Sequence, residues 1–100
     1  MTTDAADPER FLTLVAAEQG RDPTLTSIQA AMVVAARLGI AGDSRSFARI
    51  LDIEHALTLR ELNALADRGD IIILKRDERT LRTFYRLAGD VSAEAKSTSL

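Results

Sequence analysis

The sequence contains no cysteine and no tryptophan, and only one of its 100 residues is a histidine. The absence of cysteine excludes disulfide bonds, thiolate metal sites and cysteine redox chemistry. A lone histidine provides no transition-metal ligand set, and the chain carries no nucleophile motif and no glycine-rich phosphate loop. We therefore predict no catalytic residue, no cofactor and no metal site, and we expect that the protein is not an enzyme.

Aromatic residues make up 4% of the chain and hydrophobic residues 46%, so the core must be built from Ala, Leu, Ile and Val. This length supports one small domain. The longest apolar run, residues 30–36, is too short to cross a membrane, and the first seven residues do not resemble a signal peptide. A soluble cytoplasmic protein is expected. The net charge of −2 means that any nucleic-acid site must be local.

Four segments combine a capping or turn signal with apolar residues at helical spacing. Helix 1 is predicted from Asp7-Pro8 to Gly20, and helix 2 from the signal Asp22-Pro23-Thr24 to Gly39. Helix 3 follows the turn at residues 42–44 and extends to Ile53. The start of helix 4 stays open, because it could begin at Glu54-His55 or after a capping box at Thr58, and Gly69 ends it.

A β-hairpin follows the helices. The β-branched run of residues 71–74 and a second strand-like run of residues 83–87 flank the polar tip Asp77-Glu78-Arg79-Thr80. Helices 1 to 4 followed by a two-stranded wing predict a mainly α fold with a β-hairpin, of the winged helix-turn-helix type. We predict a single domain over residues 1–89 and a flexible C-terminal tail over residues 90–100, which has little to bury.

Several motifs occur in a common register that resembles the MarR family of bacterial transcriptional regulators. The family opens helix 2 with Leu-Thr, two variable residues and Gln, which matches residues 25–29. Its Leu-Ala helix start falls on Phe47-Ala48, its Leu-Gly-Val turn on residues 51–53, its helix end on Leu65 and Gly69, and its Asp-x-Arg wing motif on residues 77–79. The similarity covers roughly residues 25–87 and implies a protein that binds duplex DNA and is associated with the bacterial nucleoid.

The sequence also departs from the family pattern. Asp52 replaces the usual turn glycine, which is tolerable because Asp enters the left-handed region readily. Glu54 stands where the family has a small hydroxyl near a phosphate, and Leu57 and Leu59 occupy positions where it often has polar residues that read bases. The chain stops before the two C-terminal helices that build the family's dimer and line its effector pocket.

Two groups of side chains are candidates for DNA contact. The wing is basic, whereas the rest of the chain is acidic. The candidates are His55, Thr58, Arg60 and Asn63 on helix 4, and Lys75, Arg76, Arg79 and Arg82 on the wing. Arg60 could bind guanine and Asn63 adenine, although for His55 and Asn63 an ordinary solvated helix face is the favoured interpretation. The resemblance implies that Arg79 enters the minor groove while Asp77 holds its guanidinium in place.

Helix 2 is apolar on nearly every face, which is typical of a central helix that is buried all round. Its excess apolar surface keeps a second interpretation open, a homodimer formed by helices 1 and 2 through Phe11, Val15, Met32 and Val33. The same surface could instead bind another protein. An alternative function follows, in which the winged helix is an interaction adaptor or antagonist with little DNA binding.

Overall fold

A computed structural model describes residues 8–89, and the predicted C-terminal tail lies outside them. Four helices are followed by one antiparallel hairpin, an α+β layout of the winged-helix kind. The elements are α1 (Pro8–Arg21), α2 (Ser27–Arg37), α3 (Ser44–Leu51), α4 (His55–Arg68), β1 (Ile71–Arg76) and β2 (Thr83–Leu87). The predicted fold class is confirmed. Gly20 does not end α1, which continues to Arg21, and the proposed cap Asp7 lies outside the described residues.

The central helix is α2, and every residue from Gln29 to Ala35 is buried. The start signal at residues 22–24 was wrong, because the true N-cap is Thr26. Its hydroxyl accepts from the Gln29 amide at 3.0 Å, while the Gln29 side chain accepts from the Thr26 amide at 3.1 Å. This reciprocal capping box satisfies two amides that the helix start leaves without partners.

An aspartate lies at each end of α3. Asp43 caps its N-terminus by accepting from the Ser46 amide at 3.0 Å, and Asp52 ends the helix in the left-handed conformation with φ of 56°, which makes the turn to α4 tight. This confirms that Asp is tolerated at the turn position. Ile53 lies beyond α3, so the predicted helix was too long. The first of the two alternatives for α4 is correct, since the helix begins at His55.

The hairpin pairs Ile71 with Leu87 at its base and Arg76 with Thr83 near its tip, with a bulge between Ile73 and Lys75. Its second strand is held to the helical body by the Tyr85 amide, which donates to the Gly42 carbonyl at 3.1 Å. The wing is therefore attached to the segment that leads into α3, and its orientation relative to the helices is fixed by backbone contacts.

Three of the four residues predicted for a dimer interface are buried inside the domain. Val15 is 9% exposed, Met32 1% and Val33 6%, so the prediction was wrong for them. Their apolar surface is buried where α2 packs against its neighbours, which confirms the central-helix interpretation. Phe11 is half-buried and lines an open apolar groove of about 440 Å³ between α1 and α3. Within residues 8–89, no helix has the length and apolar character needed to span a membrane.

Candidate nucleic-acid interface

The exposed face of α4 lies opposite the stripe that packs into the core. Leu62 and Leu65 are fully buried, whereas Arg60 and Asn63, three residues apart, are exposed on the other side. Asp67 extends the same face toward the C-terminus of the helix and is also exposed. A carboxylate repels phosphate, so only the N-terminal half of this face suits contact with DNA.

Thr58 does not belong to this face. It is 0% exposed, and its hydroxyl donates to the Glu54 carbonyl at 3.3 Å inside the first turn of α4. The predicted groove contact of Thr58 was therefore wrong, because Thr58 lies four residues before Leu62 and so belongs to the buried stripe of α4.

A continuous chain of hydrogen bonds connects α4 to the wing. His55 Nε2 lies 2.8 Å from the Ser44 hydroxyl oxygen, which accepts from the Thr83 amide at 2.9 Å. Thr83 Oγ1 in turn accepts from Arg76 Nε at 2.9 Å, and Arg76 donates to Asn63 Oδ1 at 3.1 Å. The chain begins and ends on α4 and passes through α3, β2 and β1. It fixes three of the predicted contact residues, His55, Asn63 and Arg76, relative to one another.

This arrangement favours a neutral His55 that accepts at Nε2. The Ser44 oxygen already accepts from Thr83, so its own proton is best used toward His55 Nε2, which places the imidazole proton on Nδ1. Burial lowers the pKa of His55, and the positive charge of Arg45 lowers it further, while Asp43 partly offsets these effects. Protonation of His55 would bring a second donor to the Ser44 oxygen and would remove the acceptor of the Ser44 hydroxyl hydrogen.

We expect the domain to lose stability as the pH falls from about 7.5 to about 5.5. The pKa of His55 is lower in the folded than in the unfolded chain, so His55 takes up a proton first in the unfolded chain. Below the pKa of unfolded His55, protonation therefore stabilises the unfolded chain relative to the folded one. Urea denaturation across this pH range measures the effect. His55→Gln, which cannot titrate, is expected to flatten the profile in this window, and an unchanged slope in that variant would contradict the assignment.

The wing tip is organised by Asp77, but not as the resemblance implied. Its carboxylate accepts from the backbone amides of Arg79 at 2.8 Å and Thr80 at 3.1 Å, and these hydrogen bonds hold the pKa of Asp77 below its usual range. Among residues 8–89 no ion pair joins Asp77 to the Arg79 guanidinium. Asp77 therefore shapes the loop through its backbone, and the exposed Arg79 side chain extends from it.

Arg82 makes an ion pair with Asp43 inside the domain. Its Nε donates to the buried carboxylate of Asp43 at 2.9 Å, and its guanidinium lies 5.1 Å from the centre of the Phe84 ring. Burial raises the pKa of Asp43, but the hydrogen bonds from Arg82 and the Ser46 amide outweigh it and the net shift is downward. Arg82 links the wing to the N-terminus of α3 and so positions the wing, while its contact with DNA stays a prediction.

Sequence reasoning missed two arginines of α3. Arg45 and Arg49 are exposed and lie one turn apart, on the side of α3 away from buried Phe47. Arg45 is close enough to His55 to affect its pKa, which places it beside the N-terminus of α4. The helical spacing of Arg45 and Arg49 relative to Phe47 was the available signal. The exposed cations of α3, the N-terminal half of α4 and the wing are Arg45, Arg49, Arg60, Lys75, Arg76 and Arg79.

No family model, curated protein or solved structure matches the chain. The resemblance to the MarR family therefore stays a prediction from the sequence motifs of residues 25–87. Within the described part of the chain, no three His, Asp or Glu side chains are grouped so that they could hold a metal ion.

Proposed function

We propose that the protein is a small winged-helix transcriptional regulator that binds duplex DNA, with α4 in the major groove and the wing alongside. The observation that carries this proposal is the hydrogen bond from Arg76 of the wing to Asn63 on the exposed face of α4. It joins the two elements that a winged helix uses on DNA into one surface. Arg60 lies three residues before Asn63 on that face and adds an exposed guanidinium.

The charge distribution supports the same function. The whole chain carries a net charge of −2, yet the surface made by α3, the N-terminal half of α4 and the wing carries six exposed cations. Phosphate contacts supply most of the affinity of a protein for DNA, and such contacts need a local cluster of Lys and Arg rather than a basic chain overall. In this proposal the exposed Arg45 and Arg49 contact the DNA backbone beside the groove that α4 occupies.

The proposal extends to membership of a MarR-like group and to action at the nucleoid in the bacterial cytoplasm. It also includes a homodimer, because two copies would place two wings on a palindromic site. With Val15, Met32 and Val33 buried, such a dimer would use the groove between α1 and α3 near Phe11. Sedimentation of the pure protein tests this part.

Arg79→Ala is expected to lower affinity for duplex DNA by about tenfold and to reduce the slope of log affinity against log salt by about 0.9. Arg79 is exposed at the wing tip and its side chain supports no described contact, so the fold should be unaffected. Fluorescence anisotropy with a pool of duplexes at low and physiological salt measures both quantities.

Arg10→Ala is the matched control, because Arg10 is an exposed arginine on α1, a helix that packs mainly against α2. It loses the same charge and should leave both affinity and salt slope nearly unchanged. Equal losses in the two variants would show that binding depends on overall charge and not on the wing.

The alternative is a protein interaction adaptor, and one specific observation favours it. The wing exposes large apolar side chains, with Leu74 56% exposed, Leu81 48% and Ile72 39%. Exposed apolar residues of this kind are better suited to contact with another protein than to contact with the phosphate backbone of DNA. Absence of duplex binding by the intact protein at low salt would reject DNA binding and favour this second function.

A further inference from the structure

The contact between Arg76 and Asn63 determines which way the Asn63 carboxamide faces. A guanidinium has hydrogen-bond donors only, so the amide atom that faces Arg76 has to be the oxygen. The distance from the Arg76 terminal nitrogen to Asn63 Oδ1 is 3.1 Å. The amide nitrogen therefore points away from the wing, and within the described residues it has no hydrogen-bond partner.

Arg76 is itself held in place. Its Nε donates to Thr83 Oγ1 at 2.9 Å, and Thr83 is fully buried with its hydroxyl donating to the Leu81 carbonyl at 2.9 Å. Two points of attachment restrict the guanidinium more than one would, so the oxygen of Asn63 faces a fixed cationic donor. Both Asn63 and Arg76 are nevertheless exposed to an incoming ligand.

We infer that Arg76 is a positioning residue that presents Asn63 as a hydrogen-bond donor, so that Asn63 contacts guanine rather than adenine. The inference rests on the proposed DNA-binding function and names the base that one point of α4 selects. Paired recognition of adenine needs the amide oxygen to accept from the adenine amine while the amide nitrogen donates to N7. Here the adenine amine would have to use the second lone pair of an oxygen that already accepts from Arg76, which places the positive end of the amine dipole beside the guanidinium charge.

Guanine avoids this conflict because its major-groove edge carries two acceptors, N7 and O6, and no donor. The outward amide nitrogen of Asn63 can donate to either acceptor without disturbing Arg76. Arg60, three residues earlier on the same face, also offers donors alone. The exposed N-terminal half of α4 and the adjoining part of the wing are thus matched to the acceptor edge of guanine.

The test is selection from a random duplex library by the wild type and three variants, followed by sequencing of the enriched sites. Asn63→Ala identifies the base position concerned, since its preference should disappear there. At that position the wild type is expected to enrich guanine over adenine by about tenfold, the effect typical of a good contact between a side chain and a base. Arg76→Ala releases the amide oxygen and is expected to shift the preference toward adenine.

Lys75→Ala is the matched control, because it removes the same charge from the neighbouring residue without touching Asn63. It should weaken binding to all sites alike and keep guanine preferred. Enrichment of adenine by the wild type, or identical base preferences in Arg76→Ala and Lys75→Ala, would overturn the inference while DNA binding stands. Failure of the wild type to retain any duplex at low salt would reject the proposed function and this inference together.

Discussion

Replacing Phe47 with alanine is expected to lower the free energy of unfolding by about 4 kcal/mol. Phe47 is 0% exposed, and it is the largest of the fully buried side chains. It is the main apolar anchor of α3, which has only two turns and one other buried apolar residue, Ala48. Truncation to alanine removes the buried ring and leaves a cavity that surrounding helices fill only in part.

The loss is a large fraction of the total stability of a domain of this size, which is on the order of 5 to 15 kcal/mol. Urea denaturation followed by circular dichroism measures it. Ile50→Ala provides the control on the same helix, because Ile50 is 52% exposed and its removal should change stability by less than about 1 kcal/mol. A similar small change in Phe47→Ala would show that α3 is held by something other than its apolar anchor.

The sequence predicts the order and type of every described element, because hydrophobic spacing and turn residues act locally. Gly69 adopts φ of 90° and ends α4, and the polar tip around Asp77 separates two paired strands, both as predicted. The ends of α1 and α3 were misplaced by one or two residues. Capping is decided by side chains that compete for the same amides, and Thr26 with Gln29 satisfies two of them where residues 22–24 do not.

The candidate site was harder to predict, because the partners of its residues are distant in the sequence. The Arg82 contact with Asp43 joins residues 39 apart, and Arg76 contacts Asn63 across 13 residues. No periodicity in the sequence indicates such a pair. The same limit applies to Met32, whose apolar character is equally suited to a dimer interface and to the core of its own domain, and only the packing of α2 distinguishes them.

Ser44 is the residue on which the connection between α3, α4 and the wing depends. It is 0% exposed, and its hydroxyl accepts a hydrogen bond from the Thr83 amide and shares another with His55 Nε2. Ser44→Ala is expected to lower the free energy of unfolding by about 2 kcal/mol, since a buried backbone amide then loses its acceptor. The change in volume is a single oxygen atom, so packing contributes little and the lost hydrogen bonds dominate.

The variant should also weaken DNA binding beyond its effect on stability, because the chain from His55 to Asn63 is broken at its second member. Urea denaturation and anisotropy titration at a temperature where the variant is folded separate the two effects. Ser27→Ala is the matched control, since Ser27 is exposed and occupies the first position of α2 as Ser44 does of α3. Equal destabilisation of the two variants would mean that the loss reflects helix propensity at this position, and that the buried hydroxyl does not join the wing to the helices.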